Sequence, residues 1–546
     1  MPATGGKHRP LQSAVLPQSP RPRDGTVARD PRWHAMTSTP HLPPSNPGPD
    51  LALKYDTIAY AAQANALTQP SHLATIAILL GRVPPVVATC HVLEVGCSDG
   101  ANLLPMAAAL PHAHFTGCDL SGQAIASATR AAADLCLSNI TFLQQDLRSL
   151  PGSGEKYDFI IAHGIYSWVP ALVRDALLAL AARRLARNGV MFVSYNTYPG
   201  CHVRQATWEI LHAHVDALPT ARERLDAARM LAGLLAEPGV AQTESDGLLR
   251  AEFAKLATQT DSALYHDDLA VPNQPFHFRE FAAALAPHGL AFMAEAKLSM
   301  MTTAGLSPRV AQFVAGMDLL TREQYLDYAR LRRFRQSLIC HADAPTTAAG
   351  IDARIAPMHA AATTALLRAA AEGKAFDRDV TAAGPDTRAT RMLLQWLVEM
   401  APRSVAMADV DAWYRTHAPT GARSPTVLLV DTCYAGMVDF HVHPPAFAVR
   451  PSVRPKASRV VRWQITRQSS VTNLRHETLR IDDPLARSLL ATLDGSRTHD
   501  DLEKVIALTL PAAERADAAE RVATYLSQFA LHALLEVDED PRIVVV

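Results

Sequence analysis

His91-Val92-Leu93-Glu94-Val95-Gly96-Cys97-Ser98-Asp99-Gly100 runs from an apolar, strand-like stretch into an acidic-x-Gly-x-x-x-Gly loop, with a helix expected from about Asn102. Glycines at these positions let the backbone turn sharply and approach a ligand, and the following helix offers free N–H groups to a carboxylate. Two more strand-like stretches end in acids. His114 to Leu120 carries Asp119, 19 residues beyond Gly100, and Ile140 to Leu147 carries Asp146. An acid at the tip of the second strand is the usual ribose-hydroxyl ligand of nucleotide-type folds, and Asp146 stands where adenine can be bonded. The loop is neither G-x-G-x-x-G nor G-x-x-x-x-G-K-[ST], which argues against a dinucleotide pyrophosphate and against a triphosphate.

Strands at 91–96, 114–120, 140–147, 157–163 and 190–196 alternate with helices at 101–110, 122–135 and 171–187. This alternation predicts an α/β, doubly wound, Rossmann-like parallel sheet with helices on both faces and ligands beyond the carboxyl ends of the strands. A helical pattern runs from Leu51 to Leu80, and another from Val203 to about Leu264. A helix over 278–286 leads to a strand at Gly289–Ala296, which is expected to rejoin the sheet, so that 203–275 is a helical insertion over the strand ends. A helical block follows from about Ser307 to His341, then Ala-rich helices near 356–372 and 388–400. The last hundred residues read as strand-like pieces at Val460–Ile465 and Ile543–Val546 with helices at 484–493, 499–509 and 512–534.

Five segments result: a disordered, Pro-rich tail (1–49), a catalytic core (50–202), a helical insert whose strand rejoins the sheet (203–342), a helical domain (343–425) and a C-terminal α+β domain of winged-helix-like character (426–546). The tail holds eleven of the 38 prolines and almost no periodic apolar residues, with Met36 as an alternative start. At 546 residues the chain is too long for one core. A net charge of −1 supplies no field to attract nucleic acid or an anionic membrane. No apolar run is long enough to span a bilayer, and no signal pattern opens the chain. Cysteines 90, 97, 118, 136, 201, 340 and 433 show no paired spacing and read as reduced thiols of a cytoplasmic protein.

The loop spacing resembles motif I of the class I S-adenosylmethionine (SAM)-dependent methyltransferases. Further stretches resemble the branch that carries a methyltransferase regulatory domain and includes the rickettsial protein-lysine methyltransferases. They are Tyr55-Asp56 with Tyr60, Thr68-Gln69-Pro70-Ser71-His72-Leu73-Ala74, His163-Gly164-Ile165-Tyr166-Ser167-Trp168-Val169-Pro170 and Ser194-Tyr195-Asn196-Thr197-Tyr198-Pro199-Gly200. Downstream, Tyr265-His266-Asp267-Asp268-Leu269, Phe278-Arg279-Glu280-Phe281 and the run from Glu323 through Gln336 look like the regulatory domain. The likeness covers about 51–342. It implies SAM as cofactor, with Glu94, Gly96 and Gly100 around its amino-acid end, Asp119 on the ribose and Asp146 on the adenine. Cys97, Asn102, Leu120, Leu147 and His163 complete the implied cofactor set. The implied acceptor is protein lysine. A small molecule or an RNA is the alternative, and a non-catalytic SAM-binding regulatory protein is the alternative of another class.

Methyl transfer from a sulfonium is an in-line displacement, so the protein must align donor and acceptor and keep the nucleophile uncharged. An apolar, aromatic pocket favours the neutral amine of a lysine and the positive methyl-donor region alike. Tyr166 and Trp168 after the fourth strand, with Tyr195, Asn196 and Tyr198 at the end of the fifth, are the candidate catalytic set, although each aromatic equally suits a core. His163 is a candidate for backbone contact with SAM or for base duty, and more often such a residue is a structural hydrogen-bonder. Asp439-x-His441-x-His443, with Asp431 and Cys433 upstream, lacks a fourth ligand at a usual spacing, so no metal is assigned. The basic run Arg330 to Arg335 shares its stretch with Glu323 and Asp327, which favours a solvated or inter-domain face over RNA binding.

Overall fold

The computed structural model describes residues 57–238, 243–376 and 384–537. The tail to residue 49 and the strand expected at Ile543–Val546 lie outside the described residues. Seven strands form the central sheet: β1 (His91–Val95), β2 (His114–Asp119), β3 (Ile140–Gln144), β4 (Tyr157–Ala162), β5 (Leu185–Asn196), β6 (Leu290–Glu295) and β7 (Phe334–His341). Their order is β3-β2-β1-β4-β5-β7-β6. The first five are mutually parallel, and β7 runs antiparallel to both its neighbours. Phe159-Ile160-Ile161-Ala162 and Val190-Met191-Phe192-Val193 are almost wholly buried, as continuous apolar strands covered on both faces must be.

β6 rejoins the sheet, but not beside β5. The helical block expected through His341 stops at Arg330, where Leu331 takes a left-handed conformation (φ 47°), and 334–341 is β7, wedged between β5 and β6. This strand escaped detection because of Arg335. Its guanidinium is fully buried and donates to Glu295 of β6 (2.7 Å) and to Asp327 (2.9 Å) and Glu323 (3.2 Å) of the helix Leu319–Arg330. Its face also lies over the Phe278 ring. Arg335, with Arg332 buried beside it, therefore ties β7 to β6 and to the helix Leu319–Arg330 within this one segment.

The insertion leaves and returns at the carboxyl end of β5. Phe276 N–H donates to Asn196 O (3.0 Å) and Tyr198 N–H donates back to Phe276 O (3.0 Å), closing the 199–275 excursion. Its helices Cys201–Val215, Ala221–Ala236 and Glu244–Thr258 bury a core of their own around Leu211, Leu225, Phe253 and Leu264. At its far end the short helix Asp261–Ala263 passes into a π-helical turn, Leu264–Asp268.

The segment read as purely helical, 343–425, contributes two strands. His359–Ala362 pairs with Val405–Ala406 on one side and with Val438–His441 on the other, so this small sheet straddles the 425/426 boundary. The C-terminal segment has a separate apolar cluster running from Ala457 to Leu535. Val460–Ile465 is a helix (Arg459–Ile465), not a strand. It lies between two cores: Val461 and Ile465 join the C-terminal cluster, while Val460 packs with Leu104, Ala131 and Leu135 and Trp463 Nε1 donates to Asp134 (3.0 Å). The hairpin Ser470–Thr472/Thr478–Arg480 follows, and its turn carries His476 at φ +65°, buried against the catalytic core. Among the described residues no helix is long and apolar enough to cross a membrane.

Candidate active site

A cavity of about 310 Å³ opens beyond the carboxyl ends of β1, β2, β3 and β4. Two glycines shape it. Gly96 has φ +73°, and a Cβ there would stand 2.3 Å from Ile165 Cδ1. Gly100 has φ +76° and would strike Phe142 at 2.6 Å. Both positions need glycine, for conformation and for space. Of the residues implied as cofactor ligands, Gly96, Asp119, Leu120, Asp146, Leu147 and His163 line the cavity. Glu94, Cys97, Gly100 and Asn102 sit behind the loop instead of on the cavity wall.

Asp119 shapes the loop as well as facing the cavity: its two oxygens accept from Ser98 N–H and Ser121 N–H, each at 2.9 Å. Ser98, forced to φ 48°, was not foreseen, although its place between two glycine turns was a signal. Asp146 is held by Arg148 (2.6 Å), whose guanidinium keeps the carboxyl below its usual range. Behind the loop, Asn102 Nδ2 donates to Glu94 Oε1 (2.8 Å), while Glu94 Oε2 is buried without a hydrogen-bond partner among the described residues. Burial, helped by the charges of Asp119 and Asp99 and opposed by the Asn102 hydrogen bond, raises this carboxyl to about 8. Asn102 Oδ1 accepts from Asn65 N–H (2.9 Å), which orients the amide, and it meets His476 Nε2 at 2.8 Å. The Asn102 oxygen therefore accepts a hydrogen bond from the C-terminal hairpin, 374 residues away in sequence.

His163 meets Ser194 Oγ at 2.9 Å, and burial pushes its imidazole down to about 4. It is neutral near pH 7 and a weak base, which favours the structural role over base duty. Of the five residues read as catalytic, Trp168 alone lines the cavity, with its Nε1 lacking a hydrogen-bond partner among the described residues. Tyr195 is fully buried, stacked on Phe281 with its hydroxyl at 3.2 Å from Ser337 Oγ, and Tyr166 packs edge-on against Phe276 and Phe281. These two rings are core, because the strand exit turns them inward under the helix Phe278–Leu285. Tyr198 donates to Gln205 (2.8 Å) and stacks on His202, away from the cavity. Asn196 is buried and donates to Asn273 Oδ1 (2.8 Å).

Four cavity residues come from outside the 91–196 stretch: Ala59 and Tyr60 from the N-terminal segment, His266 and Asp267 from the π-turn. Sequence reasoning quoted Tyr60, His266 and Asp267 as part of the family likeness but gave them no role. Burial and the charge of Asp268, against Arg204, raise the Asp267 carboxyl to about 6. Asp99, Asp119, Asp146 and Asp267 together make an acidic lining, which suits a cationic ligand.

Three family models match the chain: "Methyltransferase domain" over 92–189, "Predicted methyltransferase regulatory domain" over 260–341 and "PKMT, C-terminal winged helix domain" over 454–521. The uncharacterized protein RP789 of Rickettsia prowazekii (strain Madrid E) is 36% identical over 291 residues, 53% of this chain and 53% of its own length. The match thus spans about half of that relative. The uncharacterized protein RP028 of the same organism is 30% identical over 230 residues, 42% of this chain and 92% of its own. The solved structure of PKMT2 from Rickettsia typhi superposes with a TM-score of 0.74 at 23% identity, over 87% of this chain and all of that one. The same protein in complex with AdoHcy gives 0.70 over 87% and 99%. That likeness shows a shared fold. The family rests on the three models and on RP028, of which this chain covers 92%. The chain belongs to the class I SAM-dependent methyltransferases that carry a methyltransferase regulatory domain.

Proposed function

We propose that the protein binds SAM in the cavity beyond β1, β2 and β4 and transfers its methyl group to the ε-amine of a protein lysine. The observation that carries the cofactor half is the fit of the cavity. Gly96 clears the approach, and Asp119 faces the space beside Leu120. When bound, SAM supplies an electrophilic methyl group on a sulfonium sulfur. This chain's residues do the rest. The acidic lining favours the cation, Trp168 offers an aromatic face and an N–H beside it, and the N-terminal segment with the π-turn covers the cavity and excludes water. The lysine half rests on the resemblance to the rickettsial protein-lysine methyltransferases and on the winged-helix segment matched at 454–521.

The test is product identification. The purified protein, incubated with methyl-labelled SAM and host lysate, is expected to place label on protein, recovered as methyl-lysine after hydrolysis. Label confined to RNA or to small metabolites would overturn the lysine reading. No transfer at all, with SAM bound normally, would favour the regulatory alternative.

A further inference from the structure

The π-turn divides two adjacent acids. Asp268 is fully buried and its Oδ1 accepts from Arg204 Nη2 and Trp208 Nε1, both at 2.7 Å, so it anchors the turn to the helix Cys201–Val215. Asp267 points the other way, into the cavity, and its carboxylate has no hydrogen-bond or salt-bridge partner among the described residues. Its backbone is locked. Asp267 O accepts from Asn273 Nδ2 (2.7 Å), and Asn273 Oδ1 accepts from Asn196 Nδ2 at the end of β5. Leu269 N–H closes the π-turn on Leu264 O (2.9 Å). Such turns are locally less stable than α-helix and recur where a side chain must be re-aimed at a functional site.

The N-terminal segment is fastened over the same point. His266 Nε2 donates to Ile58 O (2.7 Å), Ala61 N–H donates to Ser262 Oγ (2.9 Å), and the Tyr60 ring stands edge-on to His266 at 5.5 Å. The groups facing the Asp267 carboxylate are Tyr60 from this segment, Asp268 and His266 from its own turn, and Arg204 from the helix below. Arg204 is engaged by Asp268, and Tyr60 is a phenol raised to about 12 by burial and by Asp267 itself, hence neutral. Among the described residues, this part of the cavity therefore presents an unpaired carboxylate beside a neutral hydroxyl, and Trp168 lines the same cavity.

Resting on the lysine reading above, we infer that Asp267 is the acceptor-side acid: it receives the incoming lysine ammonium as an ion pair and takes its proton before methyl transfer. The ammonium passes H⁺ to the carboxylate, leaving a neutral amine and a carboxylic acid. The nitrogen lone pair forms the N–C bond while the C–S bond breaks, and that electron pair stays on sulfur as a neutral thioether. The product is a methylammonium, and Asp267 returns its proton to water. Burial, which disfavours the charge on both partners, brings their proton affinities closer together than in water. Asn196 is then a positioning residue, acting through Asn273.

The experiment uses the full chain, wild type and Asp267→Asn, saturated with S-adenosylhomocysteine, and n-butylamine as the lysine side-chain probe. Butylammonium is expected to raise the wild-type melting temperature with a half-saturation about tenfold lower than in the variant, the loss of one charge-assisted pair. Isosteric n-butanol is expected to do nothing in either. Equal responses to the amine, or none in wild type, overturn the assignment, and unchanged S-adenosylhomocysteine affinity in calorimetry shows that the variant is folded. With a lysine substrate, kcat/KM of the wild type should rise with pH through about 6, and Asp267→Asn should lose that limb. Label on lysine with identical profiles in both proteins sinks Asp267 alone. Label elsewhere sinks the substrate reading, and the acid's role with it.

Discussion

Trp168 and Glu94 show how single residues divide between chemistry and support. Trp168 is the one candidate aromatic on the cavity wall, and its Nε1 has no partner among the described residues. Trp168→Ala is expected to lower acceptor kcat/KM by about tenfold or more, close to 1.4 kcal/mol of transition-state binding, with SAM affinity nearly intact. Trp168→Phe keeps the ring and loses the N–H, so an intermediate effect separates the two contributions. A large fall in melting temperature without a selective kinetic defect would return the residue to the core. Glu94 makes a pH statement. Its carboxyl is raised from 4.5 to about 8 in the folded chain. A raised acid contributes stability that is full below the unfolded value and is lost as pH rises through the folded one. The unliganded protein should therefore weaken between about pH 4.5 and 8, by several kcal/mol at roughly 1.4 per unit. Glu94→Gln should flatten that slope and melt higher than wild type at pH 8 but not at pH 5. Parallel melting curves across that range would remove Glu94 from the account.

At the scale of elements, the first five strands were legible because an unbroken apolar run bounded by Gly or Asp has few other uses. β7 was not. Patterning assumes that Arg332-Arg333-Phe334-Arg335 seeks water, whereas Arg335 is buried because three carboxylates contributed by β6 and by the helix Leu319–Arg330 meet it. Asp327 and Glu323 stand only 8 and 12 residues before Arg335, but Glu295 is 40 residues away, and a local window cannot show that all three converge on one buried guanidinium. Val460–Ile465 misled in the opposite sense: adjacent β-branched residues read as strand belong to a helix between two cores, Val461 in the C-terminal cluster and Val460 against Leu104 and Leu135. The acids of the cofactor loop were legible for the same reason as their strands, being fixed at strand tips. Tyr166 and Tyr195 were not separable from Trp168, since side-chain direction after a strand depends on the insert that folds over it. The buried ion cluster also sets an energetic expectation. Arg335→Met would leave Glu295, Glu323 and Asp327 without their shared cation, and should destabilise the fold by about 3–5 kcal/mol in denaturant titration. A loss below about 1 kcal/mol would mean that those acids take up protons at little cost.

At the scale of the whole molecule, the hairpin that places His476 against Asn102 ties the two ends of the chain to one loop. Free energies of binding are state functions, so the tie works in both directions. Whatever the docked C-terminal domain adds to donor affinity through Asn102 and Glu94, a bound donor must return as tighter docking of that domain. Docking of the winged-helix segment then depends on whether the cofactor site is filled. Saturation with S-adenosylhomocysteine should slow amide hydrogen exchange across 470–480, and His476→Ala should abolish that response while weakening donor binding by about 1 kcal/mol. Exchange in the hairpin that ignores the ligand would mean that the contact transmits nothing.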